Sequence, residues 1–168
     1  MTLRKLTVYA SALATGVLAV TAPLAAAAPA KYTQAAAEQQ FRKAGVTWTS
    51  SGRCSNRNNR NCTSFDRINR TTVAGVIAFK KASKCAVTLT AGTETGHGSG
   101  TYSHWNGYKV DMHVAPCVDK YITGHFRYTG RRHGDNAKLY KSPAGNTYAY
   151  EVSRRGTHWD ITYLNGNR

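Results

Sequence analysis

Four cysteines constrain the fold of this chain more than any other feature of its sequence. They are the only cysteines among its 168 residues. No two of them have the CxxC spacing of a zinc ribbon, and an even number predicts two disulfides if the chain is exported to an oxidising compartment. Of the three possible pairings, we expect Cys54 to pair with Cys62, across a polar loop, and Cys85 to pair with Cys117, across the central part of the chain.

The N-terminus has the organisation of a secretory signal. Arg4 and Lys5 precede an apolar stretch from about Leu6 to Leu24, and the small residues Ala28-Pro29-Ala30 follow it. This order predicts cleavage after Ala30. An uncleaved membrane anchor is the alternative, but here the apolar stretch runs straight into an alanine-rich cleavage site. We therefore expect residues 1–30 to be removed and residues 31–168 to form one secreted domain.

The mature chain is strongly cationic. All eight acidic residues and 21 of the 23 basic residues follow residue 30, which gives a net charge of +13 (21 − 8). Such a charge favours an anionic partner, although it can also serve only to keep a protein in solution. We expect the partner to be peptidoglycan or an anionic cell-wall polymer, with nucleic acid as an option that charge alone supports. The protein is expected to be a monomer.

Local patterns predict an α+β domain in which N-terminal helices pack on a mostly antiparallel sheet. Helical composition and spacing predict helices over residues 33–44 and 64–81, separated by a polar loop over residues 49–62. Short runs rich in Tyr, Ile, Val and Thr predict the strands that follow. These strands are expected at residues 85–90, 108–114, 121–128, 138–140, 147–152 and 158–163.

The stretch Gly96–His113, GHGSGTYSHWNGYKVDMH, joins a glycine-rich loop to a strand and carries three of the six histidines. His104 and Asp111 lie seven residues apart across this junction, so both can reach one ion. A later strand begins with His158. Two imidazoles and a carboxylate form the three-ligand, open-position pattern of a catalytic zinc site. The alternative is a structural His104–Asp111 pair, and His113 is a reserve ligand on the same strand face as Asp111.

The residues Ser103–Asp111, SHWNGYKVD, resemble a motif of the zinc peptidases that cleave peptidoglycan. This group includes D-alanyl-D-alanine carboxypeptidases, phage L-alanyl-D-glutamate endolysins and hedgehog-type domains. The resemblance covers roughly residues 64–163 and implies that His104 and Asp111 are the first two zinc ligands. The third family ligand lies in an element that His158-Trp159 resembles. The implied activity is that of a metallopeptidase, a hydrolase acting on amide bonds of peptidoglycan stem peptides.

The chain departs from that family at the general base. Family members carry a Glu or Asp three residues before the last ligand, and Arg155 occupies this position here. Arginine cannot accept a proton from the zinc-bound water. The nearest carboxylates in the sequence are Asp160, which shares a strand face with His158, and Glu151. We therefore expect Asp160, or after it Glu151, to act as the catalytic base.

Four further residues are candidate substrate contacts. They lie in the glycine-rich approach to the motif, at the end of the preceding strand, or among the aromatic residues around the motif. They are His97, Glu94, Trp105 and Tyr108.

Two other functions fit the same composition. A small secreted ribonuclease would need no metal and would use Glu94 or Glu151 with His97 or His158 as acid and base, and Arg131-Arg132 on phosphate. A non-catalytic cationic cell-wall-binding protein or toxin on the same fold is the other alternative, and the arginine at the base position favours it.

Overall fold

The computed structural model describes residues 31–153 and 156–164. Over this part the chain forms an α+β domain of three helices and a mostly antiparallel sheet, which confirms the predicted fold class. The signal peptide predicted over residues 1–30 lies outside the described residues, and so does Arg155. No helix in the described ranges is both long and apolar enough to cross a bilayer.

Seven strands form the main sheet, in the order β2-β4-β5-β9-β8-β7-β6, and only the β2–β4 pair is parallel. A separate two-stranded sheet joins β1 to β3. Five of the six predicted strands are confirmed, with ends that differ from the prediction by two residues at most. The strands are β1 (Lys31–Tyr32), β2 (Val46–Trp48), β3 (Ile68–Asn69), β4 (Val87–Ala91), β5 (Lys109–His113), β6 (Arg127–Arg131), β7 (Lys138–Lys141), β8 (Thr147–Ser153) and β9 (Gly156–Thr162).

The first two helices were both predicted, but one begins later than expected. Thr33 caps the N-terminus of helix α1 (Gln34–Lys43), and its side chain accepts a hydrogen bond from the backbone of the first turn. Helix α2 (Arg70–Ser83) begins six residues after the predicted start. The reason is tertiary, because residues 64 and 65 donate their backbone N–H groups to the side chains of Glu94 and Gln34 instead.

The strand predicted at residues 121–128 is wrong. Helix α3 (Pro116–His125) occupies most of this range, and β6 follows it. Val118 and Ile122 are fully buried one helical turn apart, while proline stands at the start of the helix, where its missing N–H has no cost. The aromatic and β-branched residues of this segment therefore fill the core from a helix rather than from a strand.

Side chains along β5 and β9 alternate between the two faces of the sheet. Val110 and Met112 of β5 and Trp159 and Ile161 of β9 belong to the hydrophobic core beneath the helices. Their neighbours on these strands, which point to the other face of the sheet, are polar and charged. Asp111 pairs directly with Asp160, so the two strands bring two carboxylates together on that face.

Both predicted disulfides are confirmed. Cys54 bonds to Cys62 and closes the polar loop, and Cys85 bonds to Cys117 and ties the start of β4 to α3. No free cysteine occurs in the described part of the chain. Two disulfides are compatible with an extracellular protein.

Candidate functional site

A cavity of about 730 Å³ opens on the polar face of the sheet. Strands β5, β8 and β9 form its floor, and residues from the disulfide-closed loop and the segment after β4 form its walls. Four of the eight acidic residues line it, although cations outnumber acids in the chain. This concentration of carboxylates makes the cavity the candidate functional site. The four are Glu94, Asp111, Glu151 and Asp160.

His104 is fixed in the wall of the cavity by its backbone and by one ring nitrogen. The side chain is buried, and Nδ1 lies 2.7 Å from the carbonyl oxygen of Gly92. Because a carbonyl only accepts hydrogen bonds, Nδ1 carries the proton of this contact. The other nitrogen, Nε2, therefore faces the carboxylates of the cavity floor.

Gly107 holds the loop that presents His104. Its φ is +81°, and a Cβ at this position would come within 2.6 Å of the carbonyl oxygen of Arg67. Its own carbonyl accepts hydrogen bonds from the Thr72 hydroxyl at 2.7 Å and from the Asn69 backbone at 3.1 Å. Only glycine fits this close approach, so the glycine of the SHWNGYKVD motif anchors the histidine loop to the start of α2.

Each carboxylate oxygen of Asp111 lies near the ring of a different histidine. His104 Nε2 lies 3.3 Å from Oδ1, and His158 Nε2 lies 3.6 Å from Oδ2. Oδ1 is buried and has no hydrogen-bond partner within residues 31–153 and 156–164, so the 3.3 Å contact is not a hydrogen bond. Asp111 therefore contacts both His104 and His158, but the two histidines approach different oxygens of its carboxylate.

His97 joins this group more closely than the sequence suggested. Its ring stacks on His104 with centroids 3.9 Å apart, and one ligand atom each from His97, His104 and Asp111 lies within 4.8 Å of the others. Glu94 Oε1 lies 3.2 Å from His97 Nε2. A cluster of His97, His104 and Asp111 could hold a metal, with His158 on the far side of the same carboxylate.

The donor set is suited to a metal ion. Imidazole nitrogen and carboxylate oxygen are both zinc ligands, and tetrahedral ligands at about 2.0–2.1 Å from an ion lie roughly 3.3 Å from each other. His104 Nε2 and Asp111 Oδ1 have this separation without a hydrogen bond between them. Two buried ligand atoms placed side by side in this way are suited to a shared cation.

Asp160 is held as an anion by three cationic neighbours. Lys109 Nζ lies 2.8 Å from Oδ2, Arg132 Nη1 lies 2.7 Å from the same oxygen, and His104 Nε2 lies 3.6 Å from Oδ1. Burial alone would raise the pKa of Asp160, but the contact with His104 and the charge of Lys109 outweigh it, and the pKa falls well below 3.8. A carboxylate held this firmly in its ionised form is a poor proton acceptor.

The carboxylates of Asp111 and Asp160 change the pKa of His104. Burial tends to lower the pKa of its imidazole, yet the Asp111 and Asp160 charges more than compensate and raise it from 6.5 to about 10. His104 is consequently protonated at neutral pH when no metal is bound.

Glu151 is the other predicted base and lies at the rim. Its Oε2 is 2.5 Å from Arg132 Nη2 and its Oε1 is 3.8 Å from His158 Nε2. Its side chain is 27% exposed, compared with 7% for Asp160, so it can reach a water in the cavity. Arg132, which also pairs with Asp135, joins the two candidate bases through one guanidinium.

The other predicted contacts divide into two groups. Glu94 lines the cavity, but its carboxylate accepts from the Ser64 and Gly92 backbones and so holds the wall together. Trp105 and Tyr108 are not among the described residues that line the cavity, whereas Tyr102 is. The exposed Trp105 ring instead lies under the guanidinium of Arg57, 3.5 Å from its centroid.

Sequence reasoning did not single out Lys109, and it assigned Arg132 only to phosphate in a ribonuclease. Lys109 could have been found from its alternation with Asp111 on a half-buried strand. Arg132 had no comparable signal, because it reaches the cavity from the β6–β7 connection, 28 residues before Asp160.

Comparisons with known proteins give no match for this chain. No family model matches it, and neither does a curated protein or a solved structure. The chemistry of the cavity must therefore follow from its own residues.

Proposed function

We propose that this protein is a secreted zinc-dependent peptidase that hydrolyses amide bonds in the peptide stems of peptidoglycan. The observation that supports this most strongly is the placement of His104 Nε2 and the buried Oδ1 of Asp111 3.3 Å apart with no hydrogen bond between them. A buried carboxylate oxygen without a hydrogen bond is costly unless a cation fills the gap.

His97, His104 and Asp111 would hold the zinc, with His158 as the alternative to His97. When bound, zinc supplies an activated water and polarises the carbonyl of the scissile amide. The hydrogen bond from His104 Nδ1 to Gly92 fixes the tautomer that leaves Nε2 available for a metal. Glu94 orients His97 in the same way, from the cavity wall.

Glu151 is the proton acceptor in this proposal. It is more exposed than Asp160, and among the described residues its only strong cationic contact is with Arg132. Asp160 instead positions His104 and keeps Lys109 and Arg132 in place. This reverses the order of the two bases expected from the sequence, because strand position alone does not show how firmly a carboxylate is paired.

The ribonuclease alternative receives less support from the cavity. Arg132 would have to bind phosphate, but its guanidinium contacts three carboxylates, those of Asp135, Glu151 and Asp160. A phosphate would compete with all three for one cation.

The test is zinc content per chain after dialysis, with cleavage of purified muropeptides measured on the same preparations. We expect about one zinc in the wild type, and loss of zinc in His104→Ala. His158→Ala and His97→Ala decide which histidine is the third ligand. His113→Ala is the matched control, since this exposed residue lies two positions beyond Asp111 on β5. A wild-type protein without zinc would overturn the proposal.

A further inference from the structure

Arg60 lines the cavity without a carboxylate partner. The other lysine and arginine side chains that line it in the described part of the chain, Lys109 and Arg132, both pair with carboxylates. The Arg60 side chain is exposed and forms no hydrogen bond or ion pair with any residue in ranges 31–153 and 156–164. Its guanidinium is therefore free to bind an anionic group of a ligand.

The backbone that carries Arg60 is held in place on the cavity wall. A disulfide closes its loop, and within that loop the backbone N–H of Cys62 donates to the carbonyl of Asn59, at 3.0 Å, in a turn that contains Arg60. The backbone N–H of Thr95 donates to the carbonyl of Arg57, at 2.9 Å, and so ties the loop to the segment after β4. These contacts fix the direction from which Arg60 enters the cavity.

Gly96 lets the Arg60 side chain lie close to the proposed metal site. The φ of Gly96 is +101°, and a Cβ at this position would lie 2.9 Å from the Cβ of Arg60 and 3.6 Å from its Nε. Any larger residue would therefore displace the arginine. Gly96 immediately precedes His97, whose ring stacks on His104. Arg60 thus packs on the residue next to a proposed metal ligand.

Arg60 also decides the net charge of the metal-bound cavity. Among the described lining residues, the four carboxylates balance Lys109, Arg132 and a doubly charged ion whose histidine ligands are neutral. Arg60 then adds one positive charge that nothing in this set offsets. A cavity with an unbalanced cation attracts an anionic substrate.

We infer that Arg60 binds the C-terminal carboxylate of a peptide stem, so that the amide presented to the metal lies close to the end of the stem. A guanidinium forms two parallel hydrogen bonds with a carboxylate. Each residue of an extended chain spans at most about 3.6 Å, so a cation this close to a metal ligand meets a carboxylate within about two residues of the scissile amide. A C-terminal carboxylate has no chain beyond it, which suits a cation on a cavity wall. The inference rests on the proposed function for the identity of its substrate.

The test is a set of calorimetric Kd measurements on the mature chain with zinc added. All proteins carry Glu151→Gln, which should prevent cleavage of the peptide during the titration. The ligands are the lysine-type stem pentapeptide, the same peptide with a C-terminal amide, and the same peptide with only its internal glutamate carboxylate amidated. Arg60→Gln removes the charge, and Arg60→Lys keeps the charge without the planar fork. Arg53→Gln is the matched control, since Arg53 is exposed in the same polar loop and is not among the described residues that line the cavity.

We expect the protein with Arg60 to bind the free pentapeptide about tenfold more tightly than its C-terminal amide, because a charge-assisted pair is lost with the amide. Arg60→Gln should remove this preference and change the Kd for the C-terminal amide by less than about twofold. Arg60→Lys should keep a preference of about threefold. Arg53→Gln should keep the full preference, and amidation of the internal glutamate should leave it unchanged.

Three results would overturn the inference. Equal weakening of the free peptide and its C-terminal amide by Arg60→Gln would mean that Arg60 does not contact the terminal carboxylate. Equal losses in Arg60→Gln and Arg53→Gln would mean that only total charge matters. A preference that disappears when the internal glutamate is amidated would assign Arg60 to that carboxylate instead.

Failure of the inference and failure of the proposed function give different results. Zinc content and muropeptide cleavage by the protein with Glu151 intact report on the peptidase site alone. A protein that cleaves muropeptides but shows no Arg60-dependent preference for the free C-terminus would retain the proposed function and lose the inference. An Arg60-dependent preference in a protein without zinc would retain the carboxylate site and lose the peptidase.

Discussion

Asp111 and Asp160 are direct cross-strand partners on β5 and β9, and both carboxylates approach the same ring nitrogen of His104, at 3.3 and 3.6 Å. Two buried carboxylates in this position repel each other unless cations lie between or beside them. Lys109 and Arg132 neutralise Asp160. The charge of Asp111 is left for His104, in its protonated form, or for a metal ion.

The stability of the metal-free protein should decrease at alkaline pH because of His104. Its pKa is about 10 in the folded protein and 6.5 in an unfolded chain, so protonation favours the folded state. This contribution is complete below pH 6.5 and is lost as the pH rises to about 10. Thermal melts in chelator from pH 6 to pH 10 should show a steeper decline for the wild type than for His104→Gln. Parallel curves would contradict the assignment.

Zinc binding should release a proton at neutral pH. His104 is protonated when no metal is present, and a metal can bind Nε2 only after that proton leaves. Calorimetric titration of the metal-free protein with zinc in two buffers of different ionisation enthalpy should give about one proton released per ion bound. The apparent affinity should rise with pH between 6.5 and 9. A binding enthalpy that does not depend on the buffer would count against His104 as a ligand.

Glu151→Gln should abolish most catalysis while zinc remains bound. The amide cannot accept a proton, so kcat on muropeptides should fall by about 10²–10⁴. Asp135→Asn is the matched control, because Asp135 contacts the same guanidinium of Arg132 but is not among the residues that line the cavity. A fall of similar size in both variants would show that the effect comes from a displaced Arg132 and not from a lost base.

Asp160→Asn should destabilise the fold much more than Asp135→Asn. Asp160 is nearly buried between Lys109 and Arg132, and removing its charge leaves Lys109 without its carboxylate partner and takes one of three from Arg132, at a cost of roughly 3 kcal/mol in free energy of unfolding. The Asp135 side chain is 35% exposed, so the same change there should cost less than about 1 kcal/mol. Denaturant titration at pH 7 measures both. Because the pKa of Asp160 is lowered in the fold, the difference should shrink as the pH falls below 3.8.

Two glycines in helices should respond in opposite directions to alanine. A Cβ at Gly75 of α2 would overlap the ring of Tyr163, which is fully buried, so Gly75→Ala should destabilise the protein by about 1–3 kcal/mol despite the better helix propensity. Gly124 of α3 has no heavy atom within 4 Å of a Cβ, and Gly124→Ala should stabilise it by about 0.5–1 kcal/mol. Thermal unfolding of both variants provides the measurement. Stabilisation by Gly75→Ala would mean that Tyr163 packs elsewhere.

Local patterns were sufficient where one segment makes its own structure. The helix at residues 34–43 follows from its composition and its threonine cap, and the strand at residues 109–113 follows from its alternation. Local patterns failed where residues distant in the sequence determine the structure of a segment. The backbone N–H groups of residues 64 and 65 donate to the side chains of Glu94 and Gln34, so α2 begins only after them. The apolar residues of α3 have strand propensity, but they fill the core one helical turn apart.

The sequence by itself determined the fold class, the pairing of the cysteines and the approach of His104 to Asp111, because these depend on spacing, alternation and short loops. Only the tertiary structure decided the electrostatic roles. It placed His97 on His104 and gave Asp160, rather than Glu151, the additional pairing with Lys109. The physical reason is that the charge state of a buried group depends on neighbours from other strands and loops, and no local pattern of residues records where those neighbours lie.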